Sequence, residues 1–437
     1  MIRQAAGQIG VRMHGVRLNL RSNYGQLIDH VASLLDGYVC EPSQSPHLDV
    51  TGYWTTEPIE DGTSLFADAA DLNGFGKRMQ LSEDQLVWFD THRDKNLQLR
   101  FHRKDGVPAF DVVYCYQPSA KKLAKYPDYE DKKFFDLLRY LVLFPIAWHL
   151  ERTRGWGLVH ASAVAAGNRG ILIAGPGGAG KTTTCVALVA RAAMTIVTEN
   201  LLFSDGVKMF PVPEPIRLTQ ESFALLGGDA AGLRPLVLRT GRKDKSLFHL
   251  SSAADLESVR PAAIFIPQFA PGGFVRRIPP AVACELLFAV NRLTLEVNDY
   301  YWYTAALDLL WPQAGNAERQ LAVLRRLTEA APCYALGIDR SAGVDAVVDR
   351  IVDCLKLSRE AVGGLQKRTP PAVPSTSRPT TGPYRSVVSR VRNCCPTGER
   401  PTSLCGSLPC GDWRTTWPYC PTCISRAAIL RRPARSW

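Results

Sequence analysis

The segment Gly175-Pro176-Gly177-Gly178-Ala179-Gly180-Lys181-Thr182 fits G-x-x-x-x-G-K-[ST], and its flanks make it the strongest constraint on the fold. Before it runs the apolar, β-branched stretch Gly170-Ile171-Leu172-Ile173-Ala174, which reads as a buried strand. After it, residues 183–191 carry the small-residue apolar face of a helix. A strand feeding a glycine loop that opens a helix places this part of the chain in the α/β class. The glycines let successive backbone N–H groups turn inward, and the helix N-terminus adds the positive end of its dipole at the same point. A polyanion such as ATP is the expected occupant. Gly175, Pro176, Gly177, Gly178, Ala179, Gly180, Lys181, Thr182 and Thr183 are then the nucleotide contacts. Lys181 would reach the β- and γ-phosphates while the Thr182 hydroxyl joins a Mg²⁺ shell. Lys181 is expected to face solvent until phosphate engages it.

Charge along the chain narrows the partners. Residues 366–437 hold 12 Lys or Arg against two acids, Glu399 and Asp412, so this tail carries +10 of the formal +11 and the rest only +1. A nearly neutral body lacks the basic patch that tracks a phosphate backbone, and nucleic acid is not an expected partner. Six of the 12 cysteines fall between Cys394 and Cys423, while the other six are scattered singly, the usage of reduced core residues in a cytoplasmic protein. The first residues show no apolar secretory segment, and no apolar run reaches the ~18 residues of a membrane span. A cytoplasmic protein without a membrane partner is expected.

The organisation reads as four segments. Residues 1–128 form a smaller α+β module, with a helix over 24–35 capped by Ser22 or Asn23 and strands over 85–90, 97–102 and 110–117 in an antiparallel sheet. Residues 129–156 are a connecting helix whose Phe134, Leu137, Leu138 and Leu141 supply a wide apolar face. Residues 157–362 form the ATP-binding domain. It opens on strands over 158–165 and 170–174, joined as an antiparallel hairpin through Gly167-Asn168-Arg169-Gly170. In most phosphate-loop folds the strand before the loop arrives from a helix of a parallel sheet, so a hairpin entry is distinctive. Strands over 194–197 and 262–267 and helices over 281–295, 300–311 and 318–330 follow. From residue 363 the chain is basic and rich in Pro, Arg and Cys, with 11 of the 30 prolines, and is expected to be disordered. Its Cys420-Pro421-Thr422-Cys423 pair has no second pair at the spacing zinc requires.

The succession Leu158-Val159-His160-Ala161-Ser162-Ala163-Val164, the glycine loop, and Val197-Thr198-Glu199-Asn200 resembles the HPr kinase/phosphorylase catalytic domain and its relatives, the HPr-kinase-like serine kinases. The likeness covers about residues 157–357 and extends to Pro213-Glu214-Pro215-Ile216-Arg217-Leu218. Residues 1–128 do not resemble that family's regulatory domain, which marks the chain as a diverged relative. The resemblance implies a P-loop kinase fold of the HPr kinase and phosphoenolpyruvate carboxykinase type. It also implies transfer of the γ-phosphoryl of ATP to a serine hydroxyl. Residue by residue, it implies that Glu199 lies near the γ-phosphate as general base or, with Thr182, as Mg²⁺ ligand. His160 in the first hairpin strand, Arg217, and Lys245 within Gly241-Arg242-Lys243-Asp244-Lys245 complete the catalytic set, while Arg242 and Lys243 are expected to be solvated. Arg276 and Arg277 are placed in a loop after Pro271-Gly272-Gly273-Phe274. Asn200 departs from the family's second acid, so phosphorylase activity is not expected. Asp205 is the next candidate carboxylate.

The expected function is therefore an ATP-dependent kinase acting on a serine or other hydroxyl of a protein or peptide, with homo-oligomerisation left open. Two alternatives remain: a kinase of a small molecule such as free serine, and a nucleotide-binding regulatory protein without transfer.

Overall fold

The computed structural model describes residues 6–58, 66, 73–126, 128–225, 245–248, 256–313 and 315–355, all within one compact unit, Met1–Thr369. The tail from residue 363, with its expected disorder and its cysteine pair, lies outside the described residues, as do Arg242 and Lys243. The described part is mixed α/β, and its two largest sheets are mixed in strand direction.

The first sheet is built from β1 (Gly7–Met13), β2 (Val16–Ser22), β3 (Val39–Cys40), β4 (Leu48–Thr55), β5 (Asn73–Phe75), β6 (Met79–Leu81), β7 (Gln85–Trp88), β8 (Leu97–Lys104) and β9 (Val107–Cys115), in the order β3-β1-β2-β4-β9-β8-β7-β6-β5. Asp105 and Gly106, at φ of 51° and 80°, close the β8–β9 hairpin with the left-handed pair that matches strand twist. The three expected strands pair antiparallel as β7, β8 and β9, but the module as a whole is mixed rather than antiparallel, because β4 runs parallel to both β2 and β9. Helix α1 (Gly25–Leu34) before β4, and the jump to the far edge at β5 after it, bring the chain back in the same direction. Strand β4 alternates buried and half-buried residues along its length, with Leu48, Val50 and Trp54 turned into the core. The cap of α1 also differs from expectation. Tyr24 is the N-cap, and Asn23 instead clasps the backbone of Trp54 through both its amide atoms at 2.9 and 2.8 Å.

After α2 (Ala120–Lys125), the expected connecting helix is divided into α3 (Tyr129–Leu138), a π turn (Arg139–Leu143) and α4 (Phe144–Arg154). Pro145, in the first turn of α4, has no N–H for the carbonyl four residues back, and the wider turn takes up the break.

The remaining elements are β10 (Gly157–His160), β11 (Ser162–Ala166), β12 (Arg169–Ile173), α5 (Lys181–Ala192), β13 (Thr195–Thr198), β14 (Leu201–Ser204), β15 (Met209–Pro211), β16 (Ile216–Thr219), α6 (Gln220–Leu225), β17 (Lys245–Phe248), β18 (Arg260–Phe269), β19 (Phe274–Ile278), α7 (Pro280–Leu293), α8 (Leu295–Leu310), α9 (Asn316–Glu329), β20 (Cys333–Ile338) and α10 (Gly343–Cys354). Six of these strands form the sheet β13-β11-β12-β18-β20-β19. Its strand β12, which feeds the glycine loop, lies between antiparallel β11 and parallel β18. Ile171 and Ile173 face the helices α5 and α10, while Leu172 and Ala174 face α7 and α9, so the sheet is sandwiched between helix layers. The strand expected over 158–165 is two strands. At Ala161, whose N–H donates to the Asn200 carbonyl, the chain leaves the small sheet β10-β14-β15 and enters the large one.

Candidate functional site

The loop between β12 and α5 owes its shape to two left-handed glycines, Gly178 at φ 81° and Gly180 at φ 88°. At Gly180 a side chain would also meet Ile338 Cδ1 at 3.2 Å from its Cβ, so the left-handed conformation requires glycine and the close neighbour adds to the cost of any other residue. Helix α5 begins at Lys181, and its first N–H groups point into the cradle the loop makes.

Lys181 does not face solvent. It is 8% exposed, and its ammonium donates to the carbonyls of Gly175 at 2.7 Å and Pro176 at 3.2 Å. A buried ammonium needs acceptors, and the loop's own carbonyls supply them. Burial pulls its pKa down to about 8, with Glu199 pulling the other way.

The turn after β13 carries Glu199 beside the loop. Thr182 Oγ1 donates to Glu199 Oε1 at 2.7 Å, and Arg217 Nη2, from β16, lies 3.3 Å from Oε2. Ser162 Oγ donates to the Glu199 carbonyl and fixes the turn against β11. One carboxylate thus joins the Thr182 hydroxyl at the end of the loop to a half-buried guanidinium. Burial opposes the charge on Arg217, yet Glu199, Glu214 and Glu296 together hold its pKa above the ordinary value. Thr183 Oγ1 reaches Ser222 Oγ at 3.0 Å, which ties α6 to the first turn of α5, and Thr219 in turn accepts from the Ser222 N–H at 3.1 Å.

His160 ends β10 with its backbone N–H donated to Asn291 Oδ1 at 2.9 Å. It is buried, and among the described residues neither ring nitrogen has a hydrogen-bond partner; the Asn200 backbone lies near the ring but outside hydrogen-bond geometry. Burial, and after it the charge of Lys181, lowers its pKa to about 3, so the ring is neutral across the physiological range. Its expected place in the loop hairpin is corrected: β10 pairs with β14 in a separate sheet. Asn200, also buried, has an unpaired side-chain N–H₂.

Among the other expected residues, Lys245 opens β17 opposite Thr219 of β16, and its side chain lies outside the described set. Arg276 and Arg277 are on the edge strand β19 rather than in a loop, paired with β20 far along the sheet. Asp205 is a turn residue whose Oδ1 accepts from the N–H groups of Val207 and Lys208 at 2.7 and 2.6 Å.

Two residues of the site were not expected. Glu214 is 2% exposed, with one oxygen unpaired, and burial raises its pKa while Arg217 lowers it. Its signal was visible as a lone acid between two prolines in an otherwise apolar run. Glu296 opens α8 and is held by Arg139 at 2.9 Å across 157 residues of sequence, a separation that leaves no local trace. Burial raises the pKa of Glu296, but Arg139 and then Arg217 bring it below the usual range.

No group of three His, Cys, Asp or Glu suited to a metal ion occurs among the described residues. The oxygen pair of Thr182 Oγ1 and Glu199 Oε1 still fits Mg²⁺, which binds through one or two protein oxygens and completes its shell with phosphates and water. No helix among the described residues is long and apolar enough to cross a membrane. Compared with known proteins, the chain matches no family model and no curated sequence.

Proposed function

We propose that the chain is an ATP-dependent kinase that transfers the γ-phosphoryl group to a hydroxyl on a protein or peptide, with a P-loop kinase fold of the HPr kinase type. The observation that carries the reading is the chain of contacts Thr182–Glu199–Arg217 at the mouth of a glycine loop. Phosphoryl transfer needs positioning, charge neutralisation and a proton acceptor, and each has a side chain here. The loop N–H groups and Lys181 bind the phosphates, with the ammonium exchanging the carbonyls of Gly175 and Pro176 for phosphate oxygens. Thr182, together with Glu199 where that carboxylate is not the base, would hold Mg²⁺, which would supply neutralisation of phosphate charge. The acceptor oxygen attacks the γ-phosphorus, the bond to the bridging oxygen breaks, ADP leaves, and the acceptor's proton passes to Glu199. Arg217 stabilises the charge that spreads over the moving group. His160, neutral and unpaired, and the free amide of Asn200 offer hydrogen bonds to an acceptor or a phosphate oxygen.

A second reading has its own support. Asn200 stands where the resemblance implies a second acid, and Arg217 already occupies one oxygen of Glu199, which suits a protein that binds nucleotide without transfer. Incubation with γ-labelled ATP and hydroxyl-bearing peptides, free serine, or no acceptor separates the cases. Label on peptide supports the proposal, label on serine favours a small-molecule kinase, and ATP binding without any labelled product favours the regulatory reading.

A further inference from the structure

Helix α8 turns an uncharged stripe to solvent. Its exposed residues, Leu295, Trp302, Ala305 and Leu309, together with half-buried Asn298, follow the 3-4-3-4 spacing of a coiled-coil seam. Leu295 is 72% exposed, Trp302 57% and Leu309 41%, and Leu293 at the end of α7 adds another leucine at 75%. The acids of α8 do not decorate this face. Glu296 is held by Arg139 at 2.9 Å, Asp299 by His92 at 3.3 Å and Asp308 by Arg152 at 3.8 Å, all toward the body of the protein. A helix whose outer face faced only water would carry its charges there. An isolated apolar side chain on a surface means little, but a contiguous stripe marks a binding surface.

The spacing says what it binds. Leu295 and Leu309 lie seven residues before and after Trp302, so the two leucines are placed symmetrically about it, with Asn298 and Ala305 four residues before and three after. A second copy related by a two-fold axis through Trp302 runs antiparallel, sets each Leu295 against the partner copy's Leu309, and brings each Trp302 beside the small Ala305 that leaves room for its ring. That is the self-complementarity an isologous dimer requires. Leu295, Trp302 and Leu309 with the adjoining Leu293 expose roughly 500 Å² per copy, so a pair that covers all of it reaches the ~1,000 Å² at which specific interfaces begin. We infer that α8 is the seam of a two-fold homodimer, antiparallel and centred on Trp302. The inference is independent of the kinase reading.

Sedimentation velocity of the full chain, under reducing conditions so that cysteines cannot cross-link, tests it. The parent is expected to dimerise at micromolar concentration, and Trp302→Lys to weaken the dimer at least ~tenfold with an unchanged circular dichroism spectrum and melting temperature. Leu295→Lys and Leu309→Glu should each weaken it, and the double variant L295K/L309E should associate more tightly than either, since only an antiparallel seam sets the new charges opposite each other. A parent that stays monomeric, a Trp302→Lys dimer of parental affinity, or a double variant weaker than both singles would each overturn the seam.

Discussion

The core under the nine-stranded sheet and the cores around the six-stranded sheet are built from different side chains. The first gathers Trp54, Trp88, Trp148, Phe101, Phe110, Phe144, Tyr300 and Tyr303 around α1, α3, α4 and α8. In the other two, only Phe248 and Phe265 among the buried described members are aromatic, and Ala161, Ala163, Ala165 and Ala174 line the strands next to the loop. The contrast follows from what each must do. The proposed phosphate cradle needs backbone close to backbone, which suits a sheet lined with small residues. The aromatic side fills volume and carries long side chains across to the loop. Arg217 lies 5.8 Å over the Phe135 ring, and Arg139 and Glu296 come from the same side. The site lies where the two kinds of core meet, and it draws on both.

The largest effect should come from the aromatic side. Phe144 is fully buried, and Phe144→Ala is expected to cost about 3–5 kcal/mol in denaturant unfolding. Leu158, Leu201, Phe203 and Phe210 belong to the same cluster, so loss of secondary structure and loss of the site should coincide in one transition. Two separated transitions would instead show two independently folding cores.

Acid should act on the same side. Burial lowers the pKa of both His30 and His92 from 6.5 to about 4. The unfolded chain therefore takes up these protons first, and the stability each contributes, present above pH 6.5, is lost as pH falls toward 4. For His30 the upper bound is on the order of 3 kcal/mol. Denaturant midpoints between pH 7 and 4.5 should fall steeply for the parent and less steeply for His30→Leu.

Within the loop, the comparison narrows to neighbouring glycines. Gly180→Ala forces a left-handed alanine against Ile338 and is expected to cost about 1–2 kcal/mol and to abolish ATP binding. Gly177, with open space around its Cβ position and no left-handed φ, should accept alanine with a change of less than about 0.5 kcal/mol. Thermal melts of both variants check the pair, and equal losses would mean that loop shape rather than local strain sets the cost.

The loop was legible because its chemistry is local: strand, glycines, lysine and helix lie within some twenty residues. Glu199 and Arg217 were legible through the resemblance, and the structure puts them 3.3 Å apart. Glu214 was written in a quoted motif but needed burial to gain meaning. The Arg139–Glu296 pair was not legible, since contact across 157 residues depends on how α8 crosses the aromatic core. The same limit hid the parallel position of β4 and the sheet change at Ala161, because pairing partners are set by the topology and not by the pattern of a single strand. Arg276 and Arg277 were misplaced because two glycines precede them, although the glycines make only the turn into β19.

In the proposed kinase, Glu199 serves transfer while the loop serves binding. Glu199→Gln keeps the shape and the Thr182 contact but removes the charge, so the measurement is ATP affinity by calorimetry alongside the rate of γ-phosphoryl transfer, each against the parent. The proposed role of Glu199 gives ATP affinity within a fewfold of the parent and transfer reduced ~10²-fold or more, the scale of a lost general base. Transfer at the parental rate would contradict it.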